Sequence, residues 1–210
     1  MSEINVLSLN VRGVREGSKR REVYRWLKRY YNGNKHFVFM QETHSQTGDE
    51  NIWQQEWGSK IIFSHGTNEA RGVCILLPFE YQVLDIEKTW VDAAGRIAMI
   101  RIKFENESYT LINVYAPTKN NLQDQLEFLN ILKTLVLEND DSSLILGGDF
   151  NTYLNPFLDK ANTIHNAVSK YGKNLLQLME DYELIDIWQV LNPTVKRFTW
   201  RQKNPFLQSR

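Results

Sequence analysis

The sequence has little cysteine, no surplus of either charge and no long apolar segment. Its one thiol, Cys74, rules out an internal disulfide and is typical of a reducing compartment. Because 25 Lys and Arg residues balance 25 Asp and Glu residues, net charge alone would not capture a polyanion, and local groups would have to hold one. No stretch resembles a signal peptide or reaches transmembrane length. We therefore predict a soluble intracellular protein with no membrane partner.

What the chain does have is enough apolar and aromatic residues for a large core. Hydrophobic residues make up 42% of its 210 positions and include 10 Phe, 9 Tyr and 6 Trp. A chain of this length and composition can fill one sizeable domain, and it shows no linker composition or internal repeat. We therefore predict a single domain over residues 1–210.

Hydrophobic periodicity predicts alternating strands and helices along the chain. Strands are predicted at 4–11, 37–42, 61–64, 73–77, 81–90, 96–104, 109–115 and in the apolar run that begins at 144. Helices are predicted after the cap Ser18 with an apolar stripe of Val23, Trp26, Leu27 and Tyr30, and at 51–57, 122–136 and 175–182. Two helix-rich stretches around an antiparallel meander favour an α/β sandwich of two sheets flanked by helices.

The most informative stretch runs from residue 144 to residue 151. Its apolar run ends in Gly147 and Gly148, which we expect to let the backbone turn sharply and approach a ligand closely. Asp149 and Asn151 follow at the end of the strand, where catalytic groups of layered α/β proteins are usually found. Taken alone, the same pattern also fits a strand followed by an Asx-turn.

Three other predicted strands also end in polar side chains of this kind. These side chains are Asn10, Glu42, and Asn113 with Tyr115. If two sheets pack face to face, the strand ends can converge at one rim. The resulting carboxylates, amides and phenol would suit Mg²⁺-assisted attack of water on a phosphodiester, because Mg²⁺ needs only one or two carboxylates besides water and phosphate.

Several further features have ordinary structural explanations. For the basic cluster Lys19, Arg20, Arg21, Arg25, Lys28 and Arg29, we favour a solvated helix face balanced by Glu22 over a surface that tracks DNA. A DNA-facing edge and a core position are evenly balanced for Trp200, which Arg197, Arg201 and Lys203 flank. We expect Asp181 and Asp186 to hydrogen-bond locally, His44 to be a solvated loop residue, and the Gly95-Arg96 pair to be a loop leading into a strand.

Four short motifs together resemble the endonuclease/exonuclease/phosphatase superfamily, which includes exonuclease III, DNase I and the apurinic endonucleases. They occupy residues 7–13, 39–44, 112–117 and 147–151, in the order and spacing of that family. The tail at 184–188, 192–193, 198–202 and 208–210 is similar to the endonuclease domain of LINE-type non-LTR retrotransposons. The resemblance implies a DNase I-like four-layer α/β sandwich, with two packed mixed β-sheets flanked by helices.

The resemblance also implies roles for individual residues. Glu42 would bind the metal, Asn10 would support metal and phosphate, and Tyr115 would contact the scissile phosphate. Asp149 and Asn151 would position the nucleophile and stabilise the transition state. Thr199, Asn113 and Arg12 are assigned to DNA contact. The implied cofactor is Mg²⁺, with Mn²⁺ as the alternative ion.

The sequence departs from the family at its end. The family continues with a late aspartate and a Ser-Asp-His motif, whereas this sequence ends at Arg210, and none of its four histidines fits that motif. We therefore expect a domain that lacks its last strands, with poor solubility and little activity.

The function implied is a Mg²⁺-dependent phosphodiesterase, an endonuclease that nicks DNA to leave a 3′-hydroxyl and a 5′-phosphate. The expected partners are DNA and, in the parent protein, a downstream reverse-transcriptase domain primed by the nick. We expect a monomer that acts in the nucleus. Two alternatives remain open, a phosphomonoesterase or phospholipid-type hydrolase of the same superfamily and a non-catalytic remnant of a mobile element.

Overall fold

The computed structural model describes residues 4–79, 85–118, 121–161, 167–202 and 207–209. The chain divides into two compact units. The first consists of Met1–Ala116 with Asn139–Asp149, and the second consists of Pro117–Glu138 with Phe150–Arg210. The start of the predicted strand at 81–90 lies outside the described residues. Within the described part of the chain, no helix combines the length and apolar character that crossing a bilayer requires.

In the first unit, the first half of the sequence forms a mixed four-stranded sheet, here called sheet A. Its strands lie in the order β1-β2-β4-β3, with β1 parallel to β2 and the other pairs antiparallel. Its elements are β1 (Val6–Asn10), α1 (Gly17–Tyr30), a 3-10 helix (Gly33–Lys35), β2 (Phe37–Gln41), α2 (Glu50–Trp57), β3 (Ile61–Ser64) and β4 (Val73–Leu76).

Helices α1 and α2 cover the outer face of sheet A. Tyr24 and Leu27 of α1 share a buried cluster with Trp53 and Trp57 of α2. The predicted α1 stripe is therefore partly wrong, because Trp26 and Tyr30 are exposed while the helix buries Arg20, Tyr24 and Leu27. The cap is also corrected, since the Glu16 side chain accepts hydrogen bonds from the Ser18 and Lys19 amides.

Arg20 of α1 is buried, although we had favoured a solvated basic face. Its Nε donates to Glu56 at 2.5 Å, its Nη1 donates to the Arg15 carbonyl at 2.8 Å, and its guanidinium lies 4.8 Å from the Trp53 ring centroid. Buried charges require such partners. The counter-charge of this part of the cluster is Glu56 rather than the predicted Glu22.

The second sheet of the first unit, sheet B, is also mixed and four-stranded. Its strands lie in the order β5-β6-β7-β8, with β7 and β8 parallel and the other pairs antiparallel. Phe39 and Ile75 of sheet A pack with Ile100 and Leu111 of sheet B in one buried cluster between the sheets. This confirms the predicted pair of packed mixed sheets. The strands are β5 (Asp85–Val91), β6 (Ile97–Phe104), β7 (Glu107–Tyr115) and β8 (Ser143–Asp149).

Gly147 and Gly148 do not form the sharp turn that we expected, because β8 continues through both residues to Asp149. A Cβ at Gly147 would lie 3.1 Å from the Phe39 ring, so this glycine lets sheet A approach closely. Gly148 has φ +134°, and a Cβ there would lie 2.1 Å from the Val114 carbonyl oxygen. Both glycines therefore allow close packing inside the protein.

The second unit is mainly helical. Asp186 caps the helix Ile187–Leu191 by accepting from the Gln189 amide at 3.1 Å, and Asp181 accepts from the Gln177 side chain at 2.9 Å, which confirms their predicted local roles. Trp200 is exposed, which excludes the core position that we had considered for it. The elements are α3 (Leu122–Leu137), α4 (Pro156–Asp159), α5 (Lys170–Asp181), α6 (Ile187–Leu191), β9 (Trp200–Gln202) and β10 (Leu207–Ser209).

Candidate active site

Two carboxylates from different sheets share one amide where strands of the first unit end. Asn10 is the last residue of β1, Glu42 follows β2 directly, and Asp149 is the last residue of β8. Asn10 Nδ2 donates to Glu42 Oε1 at 2.7 Å and to Asp149 Oδ2 at 3.0 Å. Asn10 Oδ1 accepts from the Arg12 amide at 3.2 Å, so the hydrogen-bond network fixes which way the amide points.

Strand geometry explains why these side chains converge. Alternate residues of a strand lie on the same face, so Asn10 shares a face with Val6, and Asp149 shares a face with Ile145. Both Val6 and Ile145 pack against the core between the sheets. The two polar side chains therefore point into the space between the sheets, at the ends of the apolar rows.

Glu42 is held by its backbone as well as by Asn10. Its φ of 53° lies in the left-handed region, which is uncommon for residues other than glycine and persists where the surroundings enforce it. The Glu42 carbonyl accepts from the Gly13 amide at 2.7 Å, and the next amide, that of Thr43, donates to the Gly72 carbonyl at 2.9 Å. Loops on both sides of β2 thus fix the turn that presents the carboxylate.

A set of polar side chains joins the two sheets beside these carboxylates. Gln41 Nε2 donates to Asn113 Oδ1 at 2.7 Å and to Ser8 Oγ at 3.2 Å. Asn113 Nδ2 donates to the carbonyls of Met40 at 3.0 Å and Cys74 at 2.8 Å. We call Ser8, Gln41 and Asn113 the amide layer, after the side-chain amides of Gln41 and Asn113. This layer links β7 of sheet B to β1, β2 and β4 of sheet A.

The amide layer corrects one prediction. Asn113 is fully buried and its side chain hydrogen-bonds to sheet A, so it does not face DNA as we expected. The sequence pattern placed it correctly at the end of a strand. Periodicity could not show that its side chain would be enclosed by the second sheet.

Tyr115 lies opposite Asp149 in the β7–β8 ladder and is contacted by an arginine that sequence reasoning missed. The Tyr115 amide donates to the Arg96 carbonyl at 2.8 Å, and Arg96 Nη1 donates to the Tyr115 carbonyl at 3.1 Å. The Arg96 guanidinium also lies 5.6 Å from the Tyr115 ring centroid, within cation–π range. Arg96 lies in the loop just before β6, as predicted, and in addition contacts Tyr115.

A lysine organises the loop that follows Asn10. Lys19 Nζ donates to the carbonyls of Val11 at 3.0 Å, Arg12 at 2.9 Å and Gly13 at 2.6 Å. These contacts use all three donors of the ammonium group. The same loop supplies the Arg12 amide that binds Asn10 and the Gly13 amide that binds Glu42. Lys19 therefore stabilises the loop that orients the Asn10 side chain and holds the Glu42 backbone.

The remaining predicted site residues are placed as follows. Arg12 is exposed, with φ 49°, and lies two residues after Asn10 in the sequence. Asn151 and Thr199 belong to the second unit, where Asn151 has φ 50° and Thr199 is exposed just before β9. The roles assigned to these three residues stay predictions.

The histidines have local partners or lie outside the described residues. His36 Nδ1 lies 2.8 Å from the Asn32 carbonyl oxygen, and His65 lies between Ser45 Oγ at 3.1 Å and Glu50 Oε1 at 3.0 Å. His44 is half-buried rather than fully solvated, and its ring packs against Gly13. His165 lies outside the described residues.

The chemistry of the carboxylate pair fits a hard divalent cation. Glu42 and Asp149 offer oxygen ligands, as Mg²⁺ and Mn²⁺ prefer. Among the residues that the structure describes, no three His, Cys, Asp or Glu side chains form a group that could hold a metal ion. A cation at Glu42 and Asp149 would therefore complete its shell with water and phosphate oxygens. Asn10 turns its nitrogen toward the carboxylates, so its role as a metal ligand stays a prediction.

Comparison with known proteins identifies the family. Residues 5–206 match the Endonuclease/Exonuclease/phosphatase family. The chain belongs to this family. Its members are nucleases and phosphodiesterases that generally depend on a divalent metal. The carboxylates and the amide described above thus lie in a chain that is by family a phosphoric ester hydrolase.

Individual relatives agree with this assignment. The chain is 29% identical over 198 residues to the Transposon TX1 uncharacterized 149 kDa protein of Xenopus laevis. The matched region covers 94% of this chain but only 14% of that protein. The AP endonuclease LMAP from Leishmania major has the same fold, with a TM-score of 0.72 at 14% identity over 98% of this chain and 79% of its own. The endonuclease domain of TRAS1, a telomere-specific non-LTR retrotransposon, gives 0.58 at 13% identity over 85% and 72%.

Proposed function

We propose that this protein is a Mg²⁺-dependent phosphodiesterase that nicks DNA. The observation that carries the proposal is the sharing of the Asn10 amide by Glu42 and Asp149, which fixes two carboxylates side by side at the strand ends. Hydrolysis of a phosphodiester requires a water molecule to be positioned and negative charge on phosphoryl oxygens to be stabilised. The carboxylates, the amide and the nearby phenol of Tyr115 can divide these tasks among them.

Each residue has a distinct proposed role. Glu42 would hold the cation with water and phosphate, and a bound Mg²⁺ would neutralise developing charge on the phosphoryl oxygens. Asp149 would orient the attacking water and accept its proton, assisted by Asn151. The Tyr115 hydroxyl would donate to a phosphate oxygen, and Asn10 would keep the two carboxylates in register. Arg12 and Thr199 would contact the DNA backbone.

The transposon relative supports a biological setting for the nick. We propose that the parent protein carries further domains and that the nick leaves a 3′-hydroxyl for reverse transcription. A DNA polymerase added to nicked plasmid would incorporate label at a 3′-hydroxyl end without prior phosphatase treatment. Label that appears only after phosphatase treatment would contradict this part of the proposal.

The decisive experiment is nicking of supercoiled plasmid by the 210-residue chain, with Mg²⁺ or with EDTA. We expect slow nicking, which EDTA abolishes and Asp149→Ala lowers by about 1000-fold with little change in DNA affinity, because Asp149 acts on the transition state. Glu42→Ala should lower the rate and raise the Mg²⁺ concentration needed for half-maximal activity. The exposed Asp140→Ala is the matched control and should nick like the parent.

The outcomes distinguish the alternatives. Nicking that survives Asp149→Ala would refute the site assignment. Hydrolysis of a small phosphomonoester without plasmid nicking would favour the phosphomonoesterase. Absence of both activities would favour the non-catalytic remnant.

A further inference from the structure

The solvent-facing side of α1 carries an unusual group of exposed aromatic residues. Trp26, Tyr30 and Tyr31 are 40%, 63% and 44% exposed. Neighbouring side chains contact these rings. The ring centroids of Trp26 and Tyr31 are 4.6 Å apart, and the Arg29 guanidinium lies 5.2 Å from the Tyr30 centroid. Exposed aromatic groups of this kind commonly mark a binding surface.

The same helix concentrates positive charge in a chain whose net charge is zero. Helix α1 contains six basic residues and one acid, Glu22. Lys19 is exposed but already donates to three loop carbonyls, and Arg20 is buried against Glu56. Arg21, Arg25 and Lys28 line one open cleft of about 440 Å³ together with Tyr24 and Glu56. The single acid of this cleft, Glu56, already pairs with Arg20 and Arg21, so the cleft is left with a surplus of positive charge.

Helical spacing aligns the charges beside the rings. Arg21, Arg25 and Arg29 recur every four residues, about 6 Å apart along the axis, and so form one row. Trp26 and Tyr30 have the same spacing and form the adjacent row. Aromatic rings next to a line of cations are the arrangement used to bind single-stranded nucleic acid, with bases on the rings and phosphates on the cations.

We propose that this surface, defined as Arg21, Arg25, Trp26, Arg29, Tyr30 and Tyr31, binds single-stranded nucleic acid. Charge complementarity selects a polyanion as the occupant, and the exposed rings select one whose bases are free to stack, which excludes an intact duplex as the preferred ligand. The surface lies on α1, which covers the outer face of sheet A, whereas the proposed catalytic side chains point into the space between the sheets. It is therefore a binding function separate from the proposed nicking activity.

The test is fluorescence anisotropy of a labelled 20-nucleotide oligothymidine and of a 20-base-pair duplex, in EDTA, over a series of salt concentrations. Each phosphate contact to a single strand contributes about 0.7 to the slope of log K against log salt, so Arg25→Ala with Arg29→Ala should reduce the slope by about 1.4. Tyr30→Ala should weaken oligothymidine binding about tenfold, the loss of one stacked base. Duplex binding should be weaker than oligothymidine binding and insensitive to Tyr30→Ala.

A charge-matched control separates this surface from general electrostatics. Lys103→Ala with Lys173→Ala removes two exposed cations elsewhere and should leave the salt slope unchanged. Oligothymidine binding that is unchanged by the α1 variants would overturn the proposal, as would equal preference for duplex or equally effective competition by polyglutamate. A dimer that Trp26→Ala dissociates would also overturn it, because a second copy of the chain would then be the occupant.

Failure of this proposal can be told apart from failure of the nuclease proposal. The α1 variants should nick a short duplex at the parental rate, since none of their residues belongs to the proposed catalytic site. A chain that binds oligothymidine through α1 but nicks nothing would refute only the nuclease proposal. If the chain nicks DNA and the α1 variants bind oligothymidine as the parent does, only the single-strand binding proposal is refuted.

Discussion

Arg96 shows how much one residue can add to a site without being a candidate at first sight. It exchanges two backbone-directed hydrogen bonds with Tyr115 and covers the ring with its guanidinium. If Tyr115 contacts the substrate phosphate, Arg96 sets the position of its phenol. Arg96 is then a positioning residue that acts through Tyr115.

We expect Arg96→Met to lower kcat for nicking about fivefold, equivalent to the ~1 kcal/mol of a cation–π contact, while KM changes little. The effect should disappear in a Tyr115→Phe background, because the hydroxyl that Arg96 positions is then absent. Arg101→Met is the matched control, since Arg101 pairs with Glu87 and Asp141 instead. An equal loss in both backgrounds would mean that Arg96 acts independently of the Tyr115 hydroxyl.

The sequence contained a signal for Arg96 that periodicity alone did not reveal. The turn at residues 105–106, between the strands predicted at 96–104 and 109–115, fixes the hairpin register, in which Phe104 pairs with Glu107 and Ile97 pairs with Val114. Extending that register by one residue sets Arg96 against Tyr115. Side-chain contacts across a hairpin can thus be derived once the turn is known.

At the scale of elements, α1 begins with an acidic cap rather than the predicted serine. The Ser18 hydroxyl and the amides of Lys19 and Ser18 donate to the Glu16 carboxylate, and these bonds lower its pKa to about 2. A carboxylate whose pKa falls on folding stabilises the folded protein at pH values above its ordinary pKa, which is 4.5 for Glu16. That contribution is lost as the pH falls from 4.5 toward 2.

This cap predicts a pH-dependent difference between the parent and Glu16→Gln. The parent should have the higher urea midpoint, by a constant amount from pH 7 to pH 5, because the carboxylate is ionised in both the folded and unfolded states there. The difference should shrink between pH 4.5 and pH 2 as the folded carboxylate takes up its proton. Glu22→Gln controls for the loss of one acid from the same helix. A difference that grows on acidification would contradict the cap.

Element boundaries and burial differ in how far the sequence predicts them. The strands at 37–42, 61–64 and 109–115 followed from their apolar runs, and their polar ends marked where side chains would meet. The sequence did not predict which side of α1 is buried. Arg20 lies on that side because it pairs with Glu56 of α2 and packs on the Trp53 ring. Likewise, Gly147 and Gly148 are explained by Phe39 and Val114, which lie far away in sequence.

At the scale of the whole molecule, the family match over residues 5–206 spans both compact units. Asn10, Glu42, Tyr115 and Asp149 all belong to the first unit, so their mutual geometry follows from its two sheets. Asn151 and Thr199 belong to the second unit. That the two units act as one catalytic domain stays a prediction. It requires that Asn151→Ala, in the second unit, lower the nicking rate as Asp149→Ala, in the first unit, does.

The amide layer makes sheet pairing and site geometry interdependent. Asn113→Leu would leave the carbonyls of Met40 and Cys74 and the Gln41 amide without their buried partner, which should lower the free energy of unfolding by about 3 kcal/mol. Urea denaturation measures this, with the exposed turn variant Asn106→Ala as control. A loss no larger than that of the control would mean that the layer contributes little to stability.

The buried thiol of Cys74 is a natural probe of transient opening of the first unit. Its thiol is the chain's sole cysteine, lies on the central strand β4, and is fully enclosed, and burial raises the pKa of that thiol. An alkylating reagent can modify it only during moments when sheet A separates from α1 and α2. When reclosing is faster than alkylation, the ratio of the alkylation rate to that of a free thiol gives the equilibrium constant for this opening, and no label has to be introduced.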